Sequence, residues 1–116
     1  MDYNAVFRER TKNLALEIIR ATAIWPFSDG FSVIRRQIIR AVTSVAANYR
    51  AVCRARSDKE KFAKLCIVVE EADETLFWLE LIEELCYLEA GKTQFLKAEA
   101  TEIISVMAAY KKSLQR

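Results

Sequence analysis

The sequence predicts an all-α protein, an up-down-up-down antiparallel four-helix bundle formed by one domain over residues 1–116. Three observations predict it. The chain holds two glycines and one proline, too few to turn the many short strands of a sheet-rich fold. Apolar residues recur at steps of three, four and seven through four long segments, the period of a helix with a buried face. Short connections at roughly 25–30, 53–57 and 89–93 separate these segments, and short links between long helices make neighbours antiparallel.

The first segment runs from about Asn4 to Ile24, with Val6, Phe7, Leu14, Ile18, Ala21 and Trp25 on one stripe. Pro26 draws Trp25 out of helical geometry, Gly30 tolerates a bend, and either Ser28 or Asp29 can cap the next helix. The second segment covers about Phe31 to Val52 or slightly beyond. Phe31, Ile34, Ile38, Ala41, Val42, Val45, Tyr49 and Val52 fall on one side of its helical wheel. Ile39, Ala46 and Cys53 form a weaker second strip that a monomer does not need.

Ser57-Asp58-Lys59-Glu60 reads as a capping box that opens the third segment. Its helix is expected to continue to about Leu88, where Gly91 supplies the stop. Phe62, Leu65, Val69, Ala72, Leu76 and Leu79 make its expected core face. Ile67, Trp78, Leu81 and Leu85 make a second apolar face, expected to contact another subunit, with Ile39 and Cys53 as candidate partners across the interface. Asp73 and Glu80 are placed nearer the core face, with Arg20, Asn48 or Thr43 as candidate partners. The fourth segment runs from near Thr93 to near Leu114 on Phe95, Leu96, Ile103, Val106, Met107, Tyr110 and Leu114. Lys111, Lys112 and Arg116 suit its negative C-terminal end.

Composition narrows the function. Hydrophobic residues make up 53% of the chain, more than one small core needs, so a homo-oligomer is expected. There is no histidine, which removes the commonest general base and transition-metal ligand. Gly30 and Gly91 alone cannot build a phosphate-binding glycine loop. Cys53, Cys66 and Cys86 have neither metal-ligand spacing nor an even count, and are read as small reduced hydrophobes of a cytoplasmic protein. Glu70, Glu71 and Glu74 lie within about one turn, but a di-metal carboxylate bundle also needs Glu-x-x-His motifs. The expectation is therefore no enzyme, no cofactor and no metal. The charged N-terminus and the lack of a long apolar run predict neither a signal peptide nor a membrane span.

Charge is unevenly spread. Residues 1–64 carry a net charge of +7 and residues 65–116 a net of −5. Arg36, Arg40, Arg50 and Arg54 cluster on the wheel opposite the core face of the second helix, flanked by Arg35 and Arg56, with Thr43 and Ala47 between them. Guanidinium forks suit phosphate oxygens, so the stripe is a candidate contact for RNA or DNA backbone. Pairing with Glu70, Glu74, Glu83 or Glu84, or a merely solvated face, is the competing reading.

The stretch from Gln37 through Arg40, Ala41, Ser44 and Asn48 to Tyr49, followed by Arg56, Ser57 and Phe62, resembles the signature of the four-helix-bundle proteins encoded by intervening sequences of bacterial large-subunit ribosomal RNA genes. The third segment, through Glu70-Glu71-Ala72-Asp73-Glu74-Thr75 to Trp78-Leu79, is similar in pattern. Many members follow the asparagine with Ile-Ala-Glu-Gly, whereas here Asn48 precedes Tyr49-Arg50-Ala51-Val52, which lets the helix run on. The resemblance extends to the accessory protein of diversity-generating retroelements, a ring of five bundles that works with a reverse transcriptase and nucleic acid. It implies a homopentamer and a possible partner of that class. Two functions follow as alternatives, a nucleic-acid-binding accessory factor or a scaffold ring without nucleic-acid binding.

Overall fold

The structure is a computed structural model, and it describes residues 2–115. Four helices are present, α1 (Tyr3–Thr22), α2 (Asp29–Arg54), α3 (Asp58–Leu85) and α4 (Ala90–Ser113). α1 packs on α2, α2 on α3 and α3 on α4, while α1 closes the ring more sparsely on α4. The backbones of the diagonal pairs do not approach one another, and the body measures 46 × 23 × 21 Å. The predicted bundle is the observed one.

The helix ends follow local chemistry. The Asp2 carboxylate accepts from the amides of Asn4 and Ala5, at 3.0 and 3.3 Å, and opens α1. Ser28 takes the cap position of α2 without a side-chain capping bond, and Asp29 is the first helical residue, where its charge favours the positive helix end. At α3 the Ser57 hydroxyl accepts from the Glu60 amide at 3.1 Å. The Glu60 carboxylate reaches one residue past the usual partner and accepts from the Arg56 amide at 2.8 Å.

The α3–α4 connection differs from expectation. α3 stops at Leu85, because Cys86 takes the left-handed conformation with φ 56°. The Tyr87 amide then donates back to the Ile82 carbonyl at 3.0 Å, closing the helix end in the manner usually given to glycine. Gly91 is not the stop; it is the second residue of α4 and donates its amide to the Glu89 carboxylate at 2.7 Å. Lys111 and Lys112 lie in the last turn of α4 as expected, whereas Arg116 lies outside the described residues.

The core of α2 is the predicted one from Ile34 to Val52, with Phe31 half-buried at its start. That of α3 is turned. Leu65, Ala72 and Leu79 are buried as expected, but they are joined by Val68, Thr75 and Ile82, while Phe62, Val69 and Leu76 are only half-buried. The turn leaves Asp73 and Glu80 exposed, so neither needs the buried partner proposed for it. Ile39 and Cys53 pack partly against the chain's own core; the Cys53 thiol lies 3.9 Å from the Asn4 carbonyl, which removes much of the reason to bury them against another subunit. Phe95, expected in the α4 stripe, is 58% exposed.

Four threonines, Thr11, Thr22, Thr75 and Thr93, are buried, and each hydroxyl donates to the carbonyl four residues earlier. The polar atom is satisfied within its own helix, so the methyl group faces the core at little cost.

An aromatic clasp joins the two connections at one end. Phe31 stacks on Tyr87 at 3.9 Å, and both contact Trp25, at 5.1 and 5.5 Å. The Trp25 indole N–H donates to the Tyr87 carbonyl at 3.1 Å. The Arg35 guanidinium donates to the carbonyls of Thr22 and Trp25, both at 3.4 Å. Gly30 belongs to this clasp, since a Cβ there would lie 2.7 Å from the Tyr87 hydroxyl.

Two outcomes test this packing. Leu79→Ala should lower unfolding free energy by about 2–5 kcal/mol in urea titration, and Leu76→Ala should cost less; the reverse order would reject the observed face of α3. Gly30→Ala should destabilise the wild type. In a Tyr87→Phe background, where only the ring carbon at 3.8 Å remains, it should instead gain the ~0.5–1 kcal/mol that alanine holds over glycine in a helix. The same loss in both backgrounds would show that the hydroxyl is not the constraint.

Candidate nucleic-acid interface

The buried face of α2 is continuous from Ile34 to Val52, so its basic residues are driven to the opposite side. Arg36, Arg40, Arg50 and Arg54 are all exposed. The structure nevertheless separates them into different environments. Arg40 is tied to α3, donating to Glu71 at 2.9 Å and also to Glu74. Its hydrogen bond to Glu74, then the charge of Glu71, raise its pKa above the ordinary guanidinium value. The expected partner Glu70 is exposed, and Glu83 instead holds Lys97 of α4 at 2.8 Å. Among the described residues, no carboxylate lies within 4.0 Å of Arg36, Arg50 or Arg54.

Arg50 and Arg54 stand between two surface grooves. The groove between α1 and α2, about 750 Å³, is edged by Arg8 and Lys12 of α1 and by Arg50 and Arg54, with Glu9 as the acidic residue. The groove between α2 and α3, about 560 Å³, is edged by Arg50, Arg54 and Lys64, with Glu60 as the acidic residue. Ala15, Leu16, Ile19, Ala46 and Ala47 give the first an apolar floor, and Ala47, Ala51, Ala55 and Ala63 line the second with short side chains. Sequence reasoning missed Arg8, Lys12 and Lys64. Their signal was present: Arg8 and Lys12 are four residues apart, off the core stripe of α1, and an antiparallel hairpin sets the start of α1 beside the end of α2.

Arg10 of α1 and Lys92 of α4 are held in ion pairs instead. Arg10 forms a two-pronged pair with Glu99, at 2.9 and 2.5 Å, and its guanidinium lies 4.8 Å from the Phe7 ring centre. Lys92 pairs with Glu17, and this bond holds the Glu17 carboxyl below its ordinary pKa. These pairs lie along the α1–α4 seam, away from the α1–α2 groove.

The signature residues serve mainly packing and capping. Ala41 is fully buried. The Asn48 side chain donates to the carbonyl and hydroxyl of Ser44, at 2.9 and 3.1 Å. Gln37 accepts weakly from Arg40 at 3.4 Å, Arg56 and Ser57 take part in the α3 cap, and Phe62 is half-buried. The departure at residues 49–52 places Tyr49 and Val52 in the core and Arg50 on the surface, and α2 does run on to Arg54. The Tyr49 hydroxyl donates to Asn4 Oδ1 at 3.1 Å; burial, then the neighbouring Cys53, raise its pKa well above the usual phenol value.

The second face of α3 is partly open. Ile67 is 36% and Leu85 50% exposed, while Trp78 and Leu81 are half-buried against the core. Phe77, 47% exposed, meets Trp78 edge-on at 5.0 Å. The Trp78 indole N–H donates to the Glu74 carboxylate at 3.2 Å, so the Arg40 ion pair lies within this strip.

Among the described residues, no group of three or more His, Cys, Asp or Glu side chains is placed to hold a metal ion. Among the same described residues, no helix is long and apolar enough to cross a membrane.

The bundle is similar to the crystal structure of a protein of unknown function from the S23 ribosomal protein family of Bacteroides thetaiotaomicron, with a TM-score of 0.82 and 27% identity over 94% of this chain and 97% of that one. No curated protein matches the chain. Residues 4–109, a span that takes in most of all four helices, match the 23S rRNA-intervening sequence protein family, and the chain belongs to it.

Proposed function

We propose that the protein is a non-catalytic, oligomeric accessory factor that binds the phosphate backbone of nucleic acid without reading bases. One observation carries this reading: Arg8, Lys12, Arg50, Arg54 and Lys64, from three helices, edge the two grooves beside the second half of α2. Two acidic residues, Glu9 and Glu60, accompany these five cations, so the surface attracts a polyanion. Guanidinium and ammonium groups without aromatic neighbours suit phosphate contact rather than base stacking. Arg40, held by Glu71 and Glu74, contributes less than Arg50 and Arg54, and Arg36 is a peripheral contact. The resemblance to retroelement accessory proteins extends the proposal to a cytoplasmic ring of five subunits and to a reverse transcriptase as protein partner.

Scaffolding without nucleic acid is the second reading, favoured by the neutralised Arg40 and the apolar strip of α3. In both readings Ile67, Trp78, Leu81 and Leu85 form the subunit contact, since their partly exposed apolar surface is best buried symmetrically.

Fluorescence anisotropy of labelled nucleic acid should show binding at low salt that weakens steeply as salt rises. Arg50→Ala with Arg54→Ala should weaken it strongly and Arg40→Ala only slightly. Absence of binding at low salt would leave scaffolding as the better reading. Light scattering after size exclusion should give several subunits, five if the resemblance holds, and Trp78→Glu should dissociate them. A wild-type monomer at high concentration would reject the α3 contact.

A further inference from the structure

The position of α2 in the bundle narrows the ligand. α2 packs on α1 and α3 but not on α4, so it occupies a corner and projects as a ridge between two flanking helices. Packed helices lie about 8–10 Å apart. Cations are therefore set on both sides of the ridge, Arg8 and Lys12 across one groove and Lys64 across the other, with Arg50 and Arg54 bordering both. Arg50 and Arg54 stand on the exposed side of the ridge, and between the arginines it is slim, with Thr43, Ala47 and Ala51 in place of long side chains.

Resting on the proposed phosphate-binding role, we infer that the second half of α2 enters the major groove of a B-form DNA duplex, with its two flanking cationic edges meeting opposite strands. The major groove is about 12 Å wide and admits an α-helix between two phosphate rims. A single strand has one backbone and would occupy one groove, leaving the opposite cations without a role. The major groove of A-form RNA is deep and narrow, and side chains cannot read it; a whole helix is excluded more strongly. The short side chains between the arginines offer nothing to discriminate base edges, and Arg50 and Arg54 border both grooves toward the rims, so affinity comes mainly from phosphate contact and is broad in sequence.

The test compares three labelled ligands of one mixed sequence, a DNA duplex, an RNA duplex and a DNA single strand, with wild type, Lys12→Ala, Lys64→Ala and the Arg50/Arg54 double-alanine variant. Circular dichroism and light scattering check that each variant keeps its fold and assembly. The DNA duplex should bind tightest. Lys12→Ala and Lys64→Ala should each reduce the slope of log affinity against log salt by about 0.9 on it, the value for one lost phosphate contact. Equal affinity for the single strand, equal affinity for the RNA duplex, or an effect of only one lysine would overturn groove insertion, while the effect of Arg50 and Arg54 would preserve phosphate binding. Failure of every ligand to bind at low salt, or insensitivity to the loss of Arg50 and Arg54, would overturn both.

Discussion

The packing of α2 along α3 sets the position of everything else, because these are the two longest helices and their contact is the most extensive in the bundle. α2 brings Ile38, Val42, Val45, Tyr49 and Val52, and α3 brings Leu65, Val68, Ala72, Leu79 and Ile82, all buried. Apolar burial of this kind is non-directional, so it does not by itself select a rotation for each helix. On α2 the rotation is selected by charge, since turning the arginines inward would desolvate them. α2 is therefore the reference against which the phase of α3 is set, and α1 and α4 fill the remaining sides.

This difference explains what was legible in the sequence. The face of α2 could be read because apolar and basic residues segregate cleanly around it. α3 is apolar over most of its circumference, and a reading by residue type prefers Leu76 to Thr75. The structure buries Thr75 and leaves Leu76 half-exposed, and the reason is local. A helical threonine satisfies its hydroxyl on its own backbone and presents a methyl group. Thr11, Thr22 and Thr93 escaped notice on the same grounds. The end of α3 was misplaced because Gly91 was the obvious candidate for a left-handed residue, and Cys86 occupies that conformation instead.

The cationic surface was legible as a row and not as a site. Wheel geometry gathers Arg36, Arg40, Arg50 and Arg54 on one helix, but only the tertiary arrangement distinguishes them. Glu71 and Glu74 come from α3 to hold Arg40, while Arg8, Lys12 and Lys64 come from two other helices to enlarge the surface around Arg50 and Arg54. The charge imbalance between residues 1–64 and the remainder is resolved in the same way. Acids of the second half neutralise Arg10 and Arg40, while Arg8, Lys12, Arg50, Arg54 and Lys64 of the first half edge the two grooves beside α2.

The sparse seam between α1 and α4 gives the bundle an uneven dynamic character. Opening costs least where few contacts are lost, and α1 and α4 meet more sparsely than the other neighbouring pairs, with the Arg10–Glu99 and Glu17–Lys92 pairs along their seam. Opening of this seam would pivot α1 on α2, its fuller contact, so its amides are the expected first site of hydrogen exchange, ahead of those of α2 and α3. Partly exposed ion pairs weaken as ionic strength rises, and salt accordingly loosens this seam. Because α1 also carries one wall of the α1–α2 groove, the same motion changes the width of that groove, coupling the breathing of the bundle to the shape of its cationic surface.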